Sequence, residues 1–227
     1  MTYDNLKAAA DPLNEKDRQE LLRALYESNP APRSELNFSN PFELLCAVVL
    51  SAQTTDAAVN AAAPALFALA PDARHLRELS EERIGEKIRR VGLWRSKARY
   101  LKGLGEMLCA EHDGQVPRTL EELVKLPGVG PKTARVVLNV AFGQPEIAVD
   151  THIFRVCNRT GLCPGKSVRA VEKRLPSLIP ERYRLPAHHL LLLHGRHVCR
   201  ARLPRCADCV IARWCRSGVP AAALKIN

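Results

Sequence analysis

The sequence predicts an all-α fold, and three observations support that prediction. Much of the chain consists of segments in which apolar residues recur every three or four positions, as they do along one face of a helix. One such segment begins with Asn40 followed by Pro41, the residue types that favour a helix N-cap and first turn. No stretch alternates apolar and polar residues with a period of two, so no substantial β-sheet is expected.

The first predicted helix is Asn14–Ser28, a charged amphipathic segment that prolines at 30 and 32 end. Its apolar side consists of Leu21, Leu22 and Leu25. The helix that starts at Asn40 contains the apolar run Leu44–Leu50, which is predicted to be buried. The further helices predicted in chain order are Ala57–Leu69, Ser80–Val91, Lys97–His112, Leu120–Leu126, Pro131–Phe142, Thr151–Thr160, Val168–Leu175 and Ala187–His197.

The composition points to a globular protein with a polyanionic partner. The chain has 227 residues, of which 46% are hydrophobic, enough for one large domain or two small ones. Its 34 Lys and Arg residues against 24 Asp and Glu give a formal charge of +10. This excess favours nucleic acid first and an anionic membrane surface second.

Two features of the sequence predict an intracellular protein without disulfides. The apolar runs are too short to span a bilayer, so no membrane association is expected. The segment Met1–Ala10 carries Asp4 and lacks the apolar region of a secretory signal. Disulfides are disfavoured inside cells. The eight cysteines therefore need another explanation.

Half of the cysteines form a C-x6-C-x2-C-x5-C array near the C-terminus: Cys199, Cys206, Cys209 and Cys215. Four thiolates within 17 residues can converge on one metal centre, either zinc or a [4Fe–4S] cluster. Zinc ribbons usually use two C-x2-C pairs, and the single pair in this array favours the cluster. The other four cysteines lie in or beside apolar segments and are predicted to be ordinary buried thiols: Cys46, Cys109, Cys157 and Cys163.

Three arginines, Arg200, Arg202 and Arg205, lie on the long arm of the cysteine array. They can offset the negative charge of the thiolates, or they can bind phosphates. A metal-stapled loop would hold them rigidly and so reduce the entropic cost of binding.

The string LPGVGPKTA at 126–134 lies between two predicted helices. Gly128 and Gly130 allow a sharp turn and the close approach of another chain, and Pro131 suits a first helical position. The free N–H groups of this hairpin and of the next helix can hold a phosphate. In that helix, Lys132, Arg135 and Asn139 are predicted to share an open face. The opposite face, which is predicted to be buried, consists of Ala134, Val137, Leu138 and Ala141.

Lys132 is unusual because it stands in the first turn of a helix, where the macrodipole favours acids. That position disfavours the ammonium form, and a neutral amine is a nucleophile. The hairpin equally permits a lysine that only binds phosphate. The local sequence leaves both interpretations open.

Asp150 precedes a predicted helix, and taken alone it is best interpreted as an N-cap. An N-cap aspartate can also stabilise a cation that develops on a sugar, and the two roles are compatible. His152 is expected to orient or pack rather than catalyse. Four histidines are expected to be helix residues near the metal loop: His188, His189, His194 and His197.

These motifs together resemble the endonuclease III family, the bifunctional pyrimidine glycosylases and abasic-site lyases of the helix–hairpin–helix superfamily. The resemblance rests on LPGVGPKTA at 126–134, VDTHIFRV at 149–156 and the four-cysteine array. LSAQTTD at 50–56 and HG at 194–195 also fit, and the match runs from about Leu21 to Cys215.

The resemblance implies two helical domains that flank a DNA-binding cleft. One is a contiguous helical barrel with the helix–hairpin–helix, expected at 33–146. The other is an iron–sulfur domain formed by 1–32 and 147–227. Lys132 and Asp150 would face each other across the mouth of the cleft.

Lys132 matches the family's nucleophile and Asp150 its catalytic carboxylate. Gln53 matches the residue that fills the hole left by the extruded nucleotide, and Leu93 the wedge that opens the duplex. Without the resemblance, Gln53 would be interpreted as a polar residue at a helix end and Leu93 as a buried leucine. The residues expected to contact DNA are Gln53, Leu93, Gly128, Gly130, Thr133, His152, Arg200, Arg202 and Arg205.

Two residues depart from the family pattern. Leu203 replaces the lysine that many members carry in the cluster loop, so this loop is expected to bind phosphate less strongly. Trp94 is bulkier than the residue expected beside the wedge.

The resemblance implies an enzyme of base excision repair that flips a damaged pyrimidine out of duplex DNA, removes it and cuts the strand by β-elimination. One structural [4Fe–4S] cluster, a monomeric state and a cytoplasmic, nucleoid-associated location are expected. One alternative is a monofunctional glycosylase of the same superfamily, which lacks the hairpin lysine and has an additional C-terminal domain. Lys132 and the 12 residues after Cys215 argue against it. The other alternative is a non-catalytic iron–sulfur DNA sensor.

Overall fold

The computed structural model describes residues 11–217, and they form two compact units. Of these residues, 11–33 and 145–217 make up one unit, while Ser34–Gln144 make up the other. The expectation that no secretory signal is present rests on Met1–Ala10, which lie outside the described residues. Within residues 11–217 there is no helix long and apolar enough to cross a membrane.

The all-α prediction is confirmed, because the described residues contain helices and no β-strand. The α-helices of residues 11–217 are α1 (Glu15–Ser28), α2 (Pro41–Ser51), α3 (Asp56–Phe67), α4 (Ala73–Glu78), α5 (Glu81–Lys87), α6 (Trp94–Glu111), α7 (Leu120–Leu123), α8 (Pro131–Phe142), α9 (Thr151–Thr160), α10 (Val168–Leu178) and α11 (Glu181–His197). Two short 3₁₀ turns follow, Cys206–Asp208 and Ala212–Trp214.

Side-chain caps explain where many of these helices begin. The Asn40 side chain accepts a hydrogen bond from the Glu43 N–H at 2.9 Å, and Pro41 is the first residue of α2, as predicted. Such a cap accepts a hydrogen bond from a backbone N–H that has no partner within the helix, and it stabilises the protein by about 1 kcal/mol. The other side chains that cap helices in this way are Asn14, Thr55, Asp72, Ser80, Thr119, Asp150 and Ser167.

In the unit Ser34–Gln144 the core is built around α2. Nearly the whole helix is buried, including the entire run Leu44–Leu50, as predicted. A helix that is apolar on all sides needs neighbours around it. Helices α3, α6 and α8 supply them, while α6 also packs against α4 and α5.

The other unit has its own core, to which both ends of the described chain contribute. The predicted apolar side of α1 is buried, with Leu21 and Leu22 fully covered and Leu25 at 3% exposure. Helix α1 packs against α11, and α11 packs against α9. Beside them, the Leu13 N–H donates to the Gly161 carbonyl at 2.8 Å.

The structure corrects several predicted helix boundaries. The short helix α4 was not predicted, and α5 ends at Lys87 instead of Val91. Helix α11 begins at Glu181, six residues before the predicted start, and contains Pro186. A proline inside a helix costs about 3 kcal/mol. Tyr183 and Ala187, one turn apart, are both buried, and this burial offsets the cost.

Two glycines that end helices provide a matched test of packing. Gly143 after α8 and Gly161 after α9 both have left-handed φ angles, +64° and +80°. A Cβ on Gly143 would meet nothing within 4 Å, whereas one on Gly161 would lie 2.5 Å from Cδ of Arg216. Arg216 in turn donates to the Asp11 carbonyl at 2.6 Å.

We expect Gly143→Ala to lower the free energy of unfolding by about 1 kcal/mol, the penalty for a left-handed alanine. Gly161→Ala should lower it further, because the Arg216 side chain must also leave its position. Urea unfolding followed by circular dichroism measures both. Equal losses in the two variants would show that the Arg216 contact contributes nothing.

Candidate active site

The predicted hairpin lies between α7 and α8, and its two glycines differ in role. Gly128 has a φ of +77°, and a Cβ there would lie 2.9 Å from Cβ of Tyr100. Gly128 is therefore required by the turn and by its close packing. Gly130 has a φ of −89°, and a Cβ there would meet nothing within 4 Å. Its backbone conformation is open to any residue, so the turn does not explain this glycine.

Helix α8 begins at Pro131, as predicted, and Lys132 is its second residue. Within the described chain, no side chain caps this helix, in contrast to α1, α2 and α3. Its first N–H groups thus point outward without a side-chain acceptor. Lys132 itself is exposed.

The predicted faces of α8 are correct except for one residue. Ala134, Val137 and Leu138 are buried, and Ala141 is partly buried. Asn139 was predicted to lie on the open face with Lys132, but only 6% of it is exposed. The reason is local: its amide donates to the Gln144 carbonyl at 3.2 Å, just after the helix ends.

Asp150 is the N-cap of α9, as predicted. Its Oδ1 accepts a hydrogen bond from the Ile153 N–H at 2.8 Å. The side chain is half-buried, and among the described residues no donor is bonded to its Oδ2. One oxygen thus fixes the orientation of the carboxylate, and the other makes no hydrogen bond to the described residues.

His152 follows in the first turn of α9 and packs closely against α11. A Cβ on Gly195 would lie 2.9 Å from Cβ of His152 and 3.0 Å from its carbonyl oxygen. The Nδ1 atom of His152 lies 3.1 Å from Nη2 of Arg155. These contacts explain why the glycine of the HG pair at 194–195 is needed.

Arg155 is a buried residue of this site that sequence reasoning missed. It is 5% exposed and donates from Nη2 to the Gly195 carbonyl at 2.7 Å and from Nε to the Cys199 carbonyl at 2.8 Å. It thereby fixes the helix that Asp150 caps to the first cysteine of the array. Its acceptors lie 40 and 44 residues further along the chain, so periodicity gives no signal of its burial.

The thiols of the four cysteines of the array interact electrostatically. Burial raises the pKa of Cys215 to about 11 and also raises the pKa of Cys209. The thiols of Cys199 and Cys206 raise both pKa values further, and that of Cys209 also raises the pKa of Cys215. All four side chains are half-buried.

Two polar side chains approach the thiols. Arg159 donates from Nη1 to Sγ of Cys199 at 3.7 Å and to the Arg200 carbonyl at 2.7 Å. The Nε2 atom of His194 lies 3.7 Å from Sγ of Cys209, consistent with the prediction that this histidine is near the loop.

The chemistry of this donor set fits a group held by four thiolates, since all four side chains are half-buried thiols and the Arg159 cation beside Cys199 can offset their charge. Within residues 11–217, no three His, Cys, Asp or Glu side chains are arranged to hold a single metal ion. All eight cysteines lie among the described residues and are free thiols. Of the four predicted to be ordinary buried thiols, Cys46, Cys157 and Cys163 are buried, but Cys109 is half-exposed.

The arm of the array carries the three arginines on the surface. Arg200, Arg202 and Arg205 are exposed. Arg205 forms an ion pair with Asp208 at 3.0 Å. Leu203, at the tip, is 84% exposed and has a left-handed φ of +49°.

Gln53 and Leu93 both have left-handed backbone conformations, which are unusual outside glycine. Their φ angles are +53° and +58°. Gln53 is exposed just after α2, and Leu93 is 60% exposed just before α6. The interpretation of Leu93 as a buried leucine is therefore wrong. A Cβ on Gly92 would lie 3.4 Å from the Gln53 carbonyl oxygen, so the two loops are neighbours.

Trp94, a departure from the family pattern, packs inward. Its ring lies 2.7 Å from where a Cβ on Gly85 would stand, and the Arg95 guanidinium stacks over it with its carbon 4.3 Å from the ring centre. The bulk of the ring is thus accommodated against α5, and Leu93 remains the exposed residue.

The chain is similar to known DNA repair proteins along most of its length. Residues 46–181 match the family described as HhH-GPD superfamily base excision DNA repair protein. Endonuclease III of Escherichia coli strain K12 is 50% identical over 203 residues, which cover 89% of this chain and 96% of that protein. Endonuclease III of Haemophilus influenzae is 47% identical with the same coverage.

A solved structure gives the same result for the fold. A trapped covalent intermediate of an endonuclease III with DNA matches with a TM-score of 0.84 at 43% identity. The match covers 91% of this chain and 97% of that one. This chain therefore belongs to the endonuclease III family within the HhH-GPD superfamily of base excision DNA repair proteins.

Proposed function

We propose that Lys132 and Asp150 are the catalytic residues of this enzyme, a bifunctional DNA glycosylase and abasic-site lyase of base excision repair. The observation that carries the assignment is the exposed lysine at the second position of the uncapped helix α8, directly after a glycine hairpin. An amine at that place can reach a DNA backbone that approaches Gly130.

The first step is displacement of the damaged base. The enzyme flips the nucleotide out of the duplex, because the target carbon is inaccessible in the stack. The deprotonated Lys132 amine attacks C1′, the bond from C1′ to the base breaks, and its electron pair leaves with the base, which takes up a proton. The amine loses a proton, and opening of the sugar ring gives an imine between Lys132 and C1′.

The second step is cleavage of the strand. The protonated imine makes the proton at C2′ acidic. Loss of that proton forms a C1′–C2′–C3′ conjugated system and expels the 3′ phosphate as the leaving group. Water then hydrolyses the imine, which restores the Lys132 amine and releases the product.

Asp150 acts on the charge that develops during these steps. The Ile153 N–H fixes its Oδ1, and its Oδ2 is left to stabilise positive charge on the sugar. The same oxygen can accept a proton from the attacking amine. The hydrogen bond to α9 keeps the carboxylate in place before the substrate binds.

DNA is held by backbone donors and by surface charge. The N-terminus of α8 and the hairpin residues Gly128, Gly130 and Thr133 bind phosphate. Arg200, Arg202 and Arg205 add phosphate contacts, and His152 orients the start of α9. Gln53 fills the gap left by the flipped nucleotide, and Leu93 enters the stack as a wedge.

The four array cysteines, Cys199, Cys206, Cys209 and Cys215, would hold one [4Fe–4S] cluster. When bound, the cluster supplies a rigid clamp for the loop and no chemistry for the reaction. Arg159 and His194 lie beside the sulfurs and hold the loop around them.

The substrate is double-stranded DNA that contains a damaged pyrimidine or an abasic site. We also propose that the enzyme acts as a monomer, since one chain carries both proposed catalytic residues and needs no second copy to supply them. Its substrate places it with the nucleoid in the cytoplasm.

Lys132→Gln should abolish both strand cleavage and covalent trapping by borohydride, because no imine can form. The wild type should crosslink to duplex DNA that carries an abasic site or an oxidised pyrimidine. Gel electrophoresis under single-turnover conditions measures cleavage and crosslink together. Lys125→Gln, which removes another exposed lysine just before the hairpin, is the matched control and should behave as the wild type.

Full cleavage by Lys132→Gln would refute the nucleophile assignment. A phosphate-binding lysine would give another result: weaker binding, with the crosslink restored at saturating DNA. Asp150→Asn keeps an oxygen that can accept from the Ile153 N–H, so this variant should fold and bind DNA but react slowly. Absence of any trapped complex in the wild type would favour a monofunctional glycosylase or a DNA sensor.

Gly130→Ala should weaken DNA binding and leave the melting temperature unchanged, since its Cβ has free space in the protein but blocks an approaching phosphate. Gly128→Ala should lower the melting temperature, because its Cβ would strike Tyr100 and its φ is left-handed. Fluorescence anisotropy with labelled duplex measures affinity, and scanning calorimetry measures stability. Unchanged affinity in Gly130→Ala would show that the hairpin does not contact DNA.

The purified protein should be brown and contain iron and acid-labile sulfide in the amounts of one [4Fe–4S] cluster per chain. Cys206→Ser should be poorly soluble and iron-free, because cluster binding is coupled to folding of the loop. Cys109→Ser, a half-buried cysteine of α6, is the control and should retain iron. Analysis that finds one zinc and no iron or sulfide would overturn the cluster assignment.

A further inference from the structure

Lys97 is a buried cation to which the reaction assigns no role. It lies in the first turn of α6 and is only 3% exposed. Its Nζ donates three hydrogen bonds, to the Leu50 carbonyl at 2.8 Å, the Ala52 carbonyl at 2.7 Å and Oγ1 of Thr54 at 2.8 Å. Burial lowers the pKa of this amine. Burying an ammonium costs desolvation free energy. A lysine at this position therefore indicates a function that an apolar side chain could not perform.

The three acceptors belong to one short segment, the end of α2 and the loop that carries Gln53. Helix α2 has no basic residue in its own last turn. The Lys97 ammonium supplies the positive charge that the C-terminal end of a helix favours. It also bonds the residues on either side of Gln53, Ala52 and Thr54.

Lys97 is equally tied to the loop that carries Leu93. Its backbone N–H donates to the Leu93 carbonyl at 3.1 Å, closing the first turn of α6. Gly92 lies against the Gln53 loop, where an added Cβ would be 3.3 Å from Oγ1 of Thr54. One residue thus binds one loop through its backbone and the other through its side chain.

Both loops need such support, because Gln53 and Leu93 adopt left-handed conformations that disfavour residues with a Cβ. Conformations of this kind persist only when their surroundings hold them. In addition, no side chain in the described residues caps α6, whose N-cap is Leu93 itself.

We propose that Lys97 is a positioning residue that holds Gln53 and Leu93 together as one preformed unit for opening duplex DNA. The proposal rests on the roles of Gln53 and Leu93 given above. Ordering the two loops costs conformational entropy. Because the loops are already ordered before DNA binds, this cost does not fall on the step that opens the duplex. Lys97 does not touch the DNA and acts through the two loops.

The experiment compares an abasic site in duplex DNA with the same site in a single strand, under single-turnover conditions. Only the duplex has to be opened, so the ratio of the two cleavage rates isolates the opening step. The variants are Lys97→Met, which keeps length and loses the donors, and Thr54→Val, which removes one acceptor. Lys102→Met is the matched control on the same helix, since the Lys102 amine bonds Arg77 and Glu106 instead.

We expect the duplex-to-single-strand ratio to fall about tenfold in Thr54→Val and on the order of a hundredfold in Lys97→Met, as hydrogen bonds to a charged group are lost. Lys102→Met should keep the wild-type ratio. A second measurement uses duplex DNA in which 2-aminopurine lies beside an uncleavable abasic analogue, so that 2-aminopurine fluorescence rises when the enzyme opens the duplex. This rise should be smaller in Thr54→Val than in the wild type and smallest in Lys97→Met. Adding Lys97→Met to the double variant Gln53→Ala, Leu93→Ala should change the ratio little, because coupled residues are not additive.

An unchanged ratio in Lys97→Met and Thr54→Val would overturn the proposal, and so would parallel losses on both substrates, which indicate a purely structural role. If Lys97→Met does not fold, Thr54→Val alone decides. A normal ratio in the double variant Gln53→Ala, Leu93→Ala would instead show that the proposed roles of those two residues are wrong. Lys132→Gln should lose cleavage of the single strand as well, where no duplex has to be opened. That result tests the nucleophile separately from the role of Lys97.

Discussion

The incomplete hydrogen bonding of helix ends is the constraint on which this structure depends. Every α-helix leaves backbone donors at its start and backbone acceptors at its end. The residues assigned to the reaction all stand at such places. Lys132 is the second residue of α8, Asp150 caps α9, Leu93 precedes α6 and Gln53 follows α2.

The protein handles these ends in different ways, according to what each has to do. Helices α1, α2 and α3 each have a side chain at the N-cap that accepts a hydrogen bond from a first-turn N–H. Helix α8 is left uncapped and opens onto free space at Gly130. At α9 the cap is the residue proposed to act in catalysis, and one oxygen of Asp150 holds the helix while the other does not.

A second recurring feature is a charged side chain that donates to backbone carbonyls far away along the sequence. Lys97 bonds the end of α2, Arg155 bonds Gly195 and Cys199, and Arg159 bonds Arg200 and Ala201. In each case a cation satisfies acceptors that lie 40 or more residues away. These bonds fix irregular segments to helices without extra secondary structure.

The sequence was sufficient for features that are local, and insufficient for those that are not. The N-caps at Asn40 and Asp150, the start of α8 at Pro131 and the buried face of α1 follow from neighbouring residues, and all are confirmed. The burial of Asn139 was missed because it involves a bond from its amide to the Gln144 carbonyl, beyond the end of the predicted helix. The start of α11 before Pro186 was missed because buried contacts outweigh the local preference. Lys97 and Arg155 gave no signal at all, since a cation is interpreted as exposed until its distant acceptors are known.

The unit that contains both ends of the described chain has a consequence for synthesis on the ribosome. Helix α1 is made early, but the helix that covers its apolar side, α11, starts only at Glu181. The hydrogen bonds from Arg216 to Asp11 and Pro12 must wait even longer. Three buried leucines of α1 therefore remain uncovered while the whole segment Ser34–Gln144 emerges and folds on its own core. During that interval the strongly charged opposite face of α1 favours solubility of the nascent chain.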